Sequence, residues 1–248
     1  MARIVLVHGA FHELSGPHAL LARWLPALRD GLWHHGVEID ASEVGVCFYG
    51  DLFRFDPSAD DPVQLAAARQ EVKEALLTLA GEASFDALGD AVARDTMART
   101  IDMLSIIGQR PHLEAEVRAR LARVVGPETR VVIGHSLGSV VSYLGLVRHP
   151  EWEVPNLVTL GSPLATDSVF PTLGTVGPDG LGVWPAALER WVNVVAHDDP
   201  VVAGTRLTER FGPRIEESVV DNGHRPHDPE PYLNAAVTGA AIAVALTE

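Results

Sequence analysis

Val131-Val132-Ile133-Gly134-His135-Ser136-Leu137-Gly138-Ser139-Val140 is the stretch whose reading decides the fold. Three consecutive apolar β-branched residues read as a strand buried on both faces, since a half-exposed strand would alternate polar and apolar positions. The apolar run Val140 to Val147 reads as a helix. Between the two, glycines stand two residues to either side of Ser136, where a sharp strand-to-helix turn tolerates only small neighbours. Such a turn displays its serine at the sheet edge, and the helix start behind it contributes partial positive charge. Ser136 is therefore a candidate nucleophile, and the backbone N–H of Leu137 a candidate donor to an oxyanion formed beside it. A serine that merely caps the helix is the alternative reading of the same letters.

Outward from this stretch the chain alternates short β-like runs with helical ones, the pattern of a parallel sheet covered by helices on both faces. Residues 3–7 predict the first strand, ended by His8-Gly9-Ala10-Phe11. Ser15-Gly16-Pro17 starts a helix carrying Leu20, Leu21, Trp24, Leu25 and Leu28 at spacings of three and four, expected to end before Gly31. Residues 44–49 predict a second strand. Further strands are expected at 129–133, 156–160, 191–196 and 215–220, and a closing helix at 232–246.

Residues 51–125 break this rhythm, with helical periodicity and no convincing strand. Leu65, Val72, Leu76 and Leu79 predict one amphipathic helix, and Val92, Met97, Ile101 and Leu104 a second. Leu113, Val117, Leu121 and Val124 predict a third, stopped by Gly126-Pro127. This insertion is either a helical buttress on the sheet or a cap whose apolar walls include Met103, Leu104, Ile106 and Ile107.

Charge and composition narrow the partners. A formal net charge of −14 opposes binding to phosphate backbones and anionic membrane surfaces, and the basic residues form no dense run, so nucleic acid is not expected. No uninterrupted apolar stretch is long enough to span a bilayer or act as a secretory signal, so no stable membrane insertion is expected. The single Cys47 allows no intramolecular disulfide, which fits a cytoplasmic, reducing setting.

A serine hydroxyl needs a base beside it and a carboxylate to orient that base. Asp198-Asp199-Pro200-Val201 follows the strand at 191–196, at the edge where open α/β sheets gather functional groups. Asp199 is the preferred acid, its loop fixed by the following proline, and Asp198 the alternate. Asn222-Gly223-His224-Arg225-Pro226-His227-Asp228-Pro229 supplies two candidate bases, His227 and, as alternate, His224. Their spacing with Asp228 fits no zinc or iron signature, so no metal is expected.

The order Ser136, Asp199, His227 is that of α/β-hydrolases. The chain resembles an α/β-hydrolase of the lipase and esterase type along most of its length apart from the insertion. The resemblance implies a single α/β-hydrolase domain over residues 1–248, with a mostly parallel sheet of about six strands, because the first begins near residue 3 where family members often carry two more before it. Departing from many relatives, the insertion precedes the nucleophile. His8-Gly9-Ala10-Phe11 resembles the family's oxyanion turn, which implies Ala10, or alternatively Phe11, as the second donor beside Leu137. Leu160-Gly161-Ser162-Pro163-Leu164 resembles the loop after the sixth strand of such enzymes, with Ser162 either a pocket residue or a turn serine. Phe11, His135 and Ser162 are the expected substrate-binding residues. Phe48, Tyr49 and Phe53 are expected near the same edge, which favours an acyl or aromatic ester, from a small molecule or a lipid-like substrate. Thioester, lactone and amide cleavage use the same machinery, and a non-catalytic binding protein can keep the fold. No cofactor is implied.

Overall fold

The computed structural model describes residues 2–54, 103, 111–202 and 204–247. Six strands form one sheet, each parallel to its neighbours. They are β1 (Ile4–Val7), β2 (Val44–Cys47), β3 (Val131–His135), β4 (Asn156–Leu160), β5 (Arg190–Ala196) and β6 (Glu216–Val220). Their spatial order is β2-β1-β3-β4-β5-β6.

Consecutive apolar residues in β1 and β3 supply two cores, as buried parallel strands require. Val5, Val7 and Val132 point to one face, where they meet α2 (Pro111–Ala122), α3 (Leu137–Arg148) and α4 (Leu207–Phe211) through Val117, Leu121, Val140, Leu146 and Phe211. Ile4, Leu6, Val131 and Ile133 point to the other. There they meet α1 (Pro17–Trp33), α5 (Pro229–Asn234) and α6 (Ala236–Thr247) through Leu20, Trp24, Leu28, Tyr232 and Ile242. Burying a Leu, Ile or Val side chain contributes about 1.5–3 kcal/mol, so these two layers fix the sheet between the helices.

Two expectations are corrected by tertiary contacts. Helix α1 does not stop before Gly31 but runs on to Trp33, because Gly31 is a packing residue. A Cβ on it would strike the Leu233 carbonyl, and one on Gly239 would strike the Gly31 carbonyl. The closing helix is two helices, broken at Ala235, whose ψ of 132° is extended. Of the predicted insertion, the third helix is present as α2, with Val124 lying beyond its end. Met103 is buried in the same core as α2's Val117 and Leu121. The two earlier helices, with Leu104, Ile106 and Ile107, lie outside the described residues. Among the described residues no helix is long and apolar enough to cross a membrane.

The topology places the site. From β1 the chain moves outward to β2, then returns past β1 to β3 and proceeds the other way, so the strand order reverses between β1 and β3. Ligands of open α/β sheets bind beyond the carboxyl ends of the strands at such a reversal. Register aligns Val7 with Gly134, and His135 with Leu160, so the turns after β1, β3 and β4 emerge side by side.

Candidate active site

Ser136 sits between β3 and α3 with φ 53° and ψ −127°, a backbone conformation that L-residues rarely adopt. The flanking glycines permit it. A Cβ on Gly134 would lie 2.6 Å from the Gly138 carbonyl oxygen, and one on Gly138 would run into the carbonyls of Val7 and His8. The turn is therefore wedged against the end of β1. Ser136 N–H donates to the Leu160 carbonyl at 2.9 Å. Its own carbonyl accepts from Ser139 N–H at 2.9 Å and from Ser139 Oγ at 2.6 Å.

Ser139 Oγ is in turn 2.7 Å from Ser162 Oγ, which accepts from Leu164 N–H at 3.3 Å. Ser162 is fully buried. Of its two readings the turn serine is the one the geometry fits, and the pocket one is corrected: its hydroxyl is spent tying the serine turn to the loop after β4.

Three predicted residues converge. His227 Nε2 lies 2.9 Å from Ser136 Oγ. Its Nδ1 lies 2.8 Å from Asp199 Oδ2 and 3.0 Å from Oδ1. Asp199 is only 3% exposed, and its Oδ1 also accepts from Val201 N–H at 2.9 Å, the backbone group that Pro200 holds in place. The alternates are not brought in. Asp198 is exposed beside His197, 3.6 Å from its Nδ1, and His224 is exposed.

His135 follows the other core. Its Nε2 donates to the His227 carbonyl at 2.8 Å, and its ring stands 4.8 Å from that of His227, with Trp24 and Tyr232 beyond. Burial, then the charge of His227, hold its pKa well below the ordinary imidazole range, so it is neutral with the proton on Nε2. Nδ1 is buried without a hydrogen-bond partner among the described residues. Its predicted place on the substrate pocket is thus corrected: it props the histidine loop from below.

The turn after β1 completes the arrangement. His8 Nδ1 donates to the Gly9 carbonyl at 2.7 Å, and Nε2 accepts from Tyr49 N–H at 3.1 Å. The Tyr49 hydroxyl donates to the His8 carbonyl, and the two rings stack at 4.1 Å. Burial pushes the His8 pKa down to about 3, which keeps the tautomer these bonds need. Gly9 passes so close that a Cβ there would lie 2.8 Å from Ser136 Cβ and 3.3 Å from its Oγ. Ala10 follows, buried, and then Phe11 at φ 67° and 42% exposed. Tyr49 is fully buried and Phe53 packs on the core, so neither lines an open edge as expected.

Sequence reasoning missed the roles of four contributors. Tyr232 donates its hydroxyl proton to Asp199 Oδ2 at 2.6 Å. Gly161 at φ 53° adjoins the same carboxylate. His8 and Tyr49 lock the first turn. No local pattern signals the hydroxyl partners of Tyr232 or Tyr49, and the role of Gly161, in the loop after β4, exists only across strands. Among the described residues no group of three or more His, Cys, Asp or Glu side chains is arranged to hold a metal ion.

No protein-family model and no curated protein matches the sequence. Solved structures are similar in shape. An esterase from Pyrobaculum calidifontis shares 11% identity, with 99% of this chain and 77% of that one covered and a TM-score of 0.43. A hormone-sensitive lipase from a metagenome library shares 16% identity, with 99% and 74% covered and a TM-score of 0.37. The six parallel strands, the strained serine turn after β3 and the helices on both faces make a doubly wound α/β fold.

Proposed function

We propose that the chain is a serine hydrolase that cleaves a carboxylic ester, of a small molecule or a lipid-like acyl substrate, through an acyl-serine intermediate. The observation that carries this reading is the 2.9 Å approach of His227 Nε2 to Ser136 Oγ while Nδ1 is held by Asp199. His227 takes the proton of Ser136 as Oγ attacks the ester carbonyl, and Asp199 orients the imidazole and stabilises its charged form. The N–H of Leu137, in the first turn of α3 where helical N–H groups lack an intrahelical acceptor, binds the oxyanion together with that of Ala10. His227 then returns the proton to the leaving alcohol. Water, deprotonated by the same imidazole, attacks the acyl-serine and frees the acid and Ser136.

On this reading residues 1–248 are one catalytic domain, with residues 51–125 inserted ahead of the nucleophile. The exposed ring of Phe11 beside Ala10 supports an acyl or aromatic ester over a highly charged substrate. The test is labelling by a fluorophosphonate probe together with hydrolysis of p-nitrophenyl esters of increasing chain length. Wild type is expected to be labelled and to turn over, and Ser136→Ala to lose labelling and about 10⁴-fold or more of the rate. A folded wild type that is neither labelled nor active would overturn the reading.

A further inference from the structure

Asp199 has a second buried partner besides the histidine. Tyr232, on α5, is fully buried, and its hydroxyl donates to Asp199 Oδ2 at 2.6 Å. The direction of that bond is forced. Ala196 N–H, at the end of β5, donates to the same phenol oxygen at 2.7 Å, so the phenol hydrogen is left to the carboxylate. Asp199 N–H donates back to the Ala196 carbonyl at 3.1 Å. One side chain thus joins the last turn of β5, the carboxylate and α5 in a closed circuit.

We infer that Tyr232 is a positioning residue for the proposed reaction, its hydroxyl fixing the Asp199 carboxylate against His227 and withdrawing part of that carboxylate's charge. Burial, reinforced by the charge of Asp199, raises the Tyr232 pKa far above the ordinary phenol value, so the donor stays protonated wherever the enzyme works. With four acceptor sites on a carboxylate, three are taken: Val201 N–H and Tyr232 OH join His227 Nδ1. A carboxylate so held cannot rotate away from the imidazole, and hydrogen bonds to charged groups are the stronger kind.

The electrostatic consequence has a definite sign. Donation by the phenol weakens the carboxylate's support for the imidazolium, so removing the phenol raises the affinity of His227 for its proton. The groups facing His227 are Asp199 and Ser136, with His135 behind, Tyr232 reaching it through Asp199, and Arg225 and Asp228 on its own loop. Only Tyr232 is altered in the experiment.

This inference rests on the serine-hydrolase reading, and the experiment separates the two. Rates of p-nitrophenyl butyrate hydrolysis are measured against pH for wild type, Tyr232→Phe and a protein with 3-fluorotyrosine at position 232. Tyr232→Phe is expected to leave KM within about twofold, to lower kcat about tenfold, and to move the acid limb of kcat/KM to higher pH. The fluorinated phenol, a stronger donor, moves the limb to lower pH. A purely structural tyrosine would move neither limb. A labelled, active wild type with unchanged profiles in the folded variants overturns this inference alone, and if Tyr232→Phe fails to fold, an unmoved limb in the fluorinated protein does so. A folded but unlabelled, inactive wild type overturns both.

Discussion

Gly161 faces Asp199 across the gap between β4 and β5: a Cβ on Gly161 would stand 2.7 Å from Asp199 Oδ2, and 3.1 Å from the Nδ1 of His227. Its φ of 53° already favours glycine, but the larger constraint is the carboxylate–imidazole contact that any side chain would enter. Gly161→Ala is expected to lower kcat/KM about 100-fold, the scale of an ångström-sized displacement of a catalytic group. Its effect on stability should be about 1–3 kcal/mol, from the left-handed backbone and the crowding of the buried carboxylate together. Ester hydrolysis with a thermal melt checks both; a variant with wild-type kcat/KM would mean that the pair is not held where this contact places it.

The parts of the fold legible in the sequence are those set by neighbours in the chain. Strands β1 and β3 announce themselves as unbroken apolar runs because both faces are buried, and the serine turn does so because its glycines clear Gly138's carbonyl and the end of β1. The partners of that serine were narrowed to two acids and two histidines, since proline-bounded loops after β5 and β6 restrict the choice. Selecting within each pair needed three dimensions: burial separates Asp199 from Asp198, and reach separates His227 from His224. His135 was misplaced because a motif shows that a residue adjoins the nucleophile, but not which face of the sheet it occupies. The helix boundary failed at Gly31 because a glycine that admits a crossing helix has the same letter as one that ends a helix, and at Ala235 because no glycine or proline marks the break.

The crossing of α1 with the terminal helices offers a test in which two principles predict opposite signs. Intrinsic propensity favours alanine over glycine inside a helix by about 1 kcal/mol. At Gly239, however, an added Cβ would strike the Gly31 carbonyl, and at Gly31 it would strike that of Leu233. Neither obstacle is a flexible side chain, so the helices must separate. Overpacking of this kind typically costs about 1–3 kcal/mol, which outweighs propensity. Gly239→Ala is expected to be destabilising in urea unfolding, whereas Gly36→Ser, with open space around the glycine, should change stability only by the strain of its φ of 65°. A stabilised Gly239→Ala would show that the crossing is looser than this contact implies.

The two buried histidines His8 and His135, beside the serine turn, make stability depend on pH in one direction. His8 titrates near 3 in the folded chain, against 6.5 when unfolded, because burial penalises its charged form; His135 is displaced the same way for the same reason. Below about 6.5 the unfolded chain therefore binds protons that the folded chain refuses. The folded state keeps its full stability above 6.5 and loses it as pH falls toward 3. For His8 this costs about 1.4 kcal/mol per pH unit in that window, or about 2 kcal/mol by pH 5, and His135 acts in the same direction. The structural reason at His8 is that Nε2 must keep a lone pair for Tyr49 N–H while Nδ1 donates to the Gly9 carbonyl. Protonation would set two N–H donors against each other and release the turn that carries Ala10. His8→Asn should be less stable than wild type at pH 7.5, yet its urea midpoint should fall less between pH 7.5 and 5, by one proton's worth of slope. Equal declines in the two proteins would show that His8 is protonated in the folded state, and the turn would then need a different support.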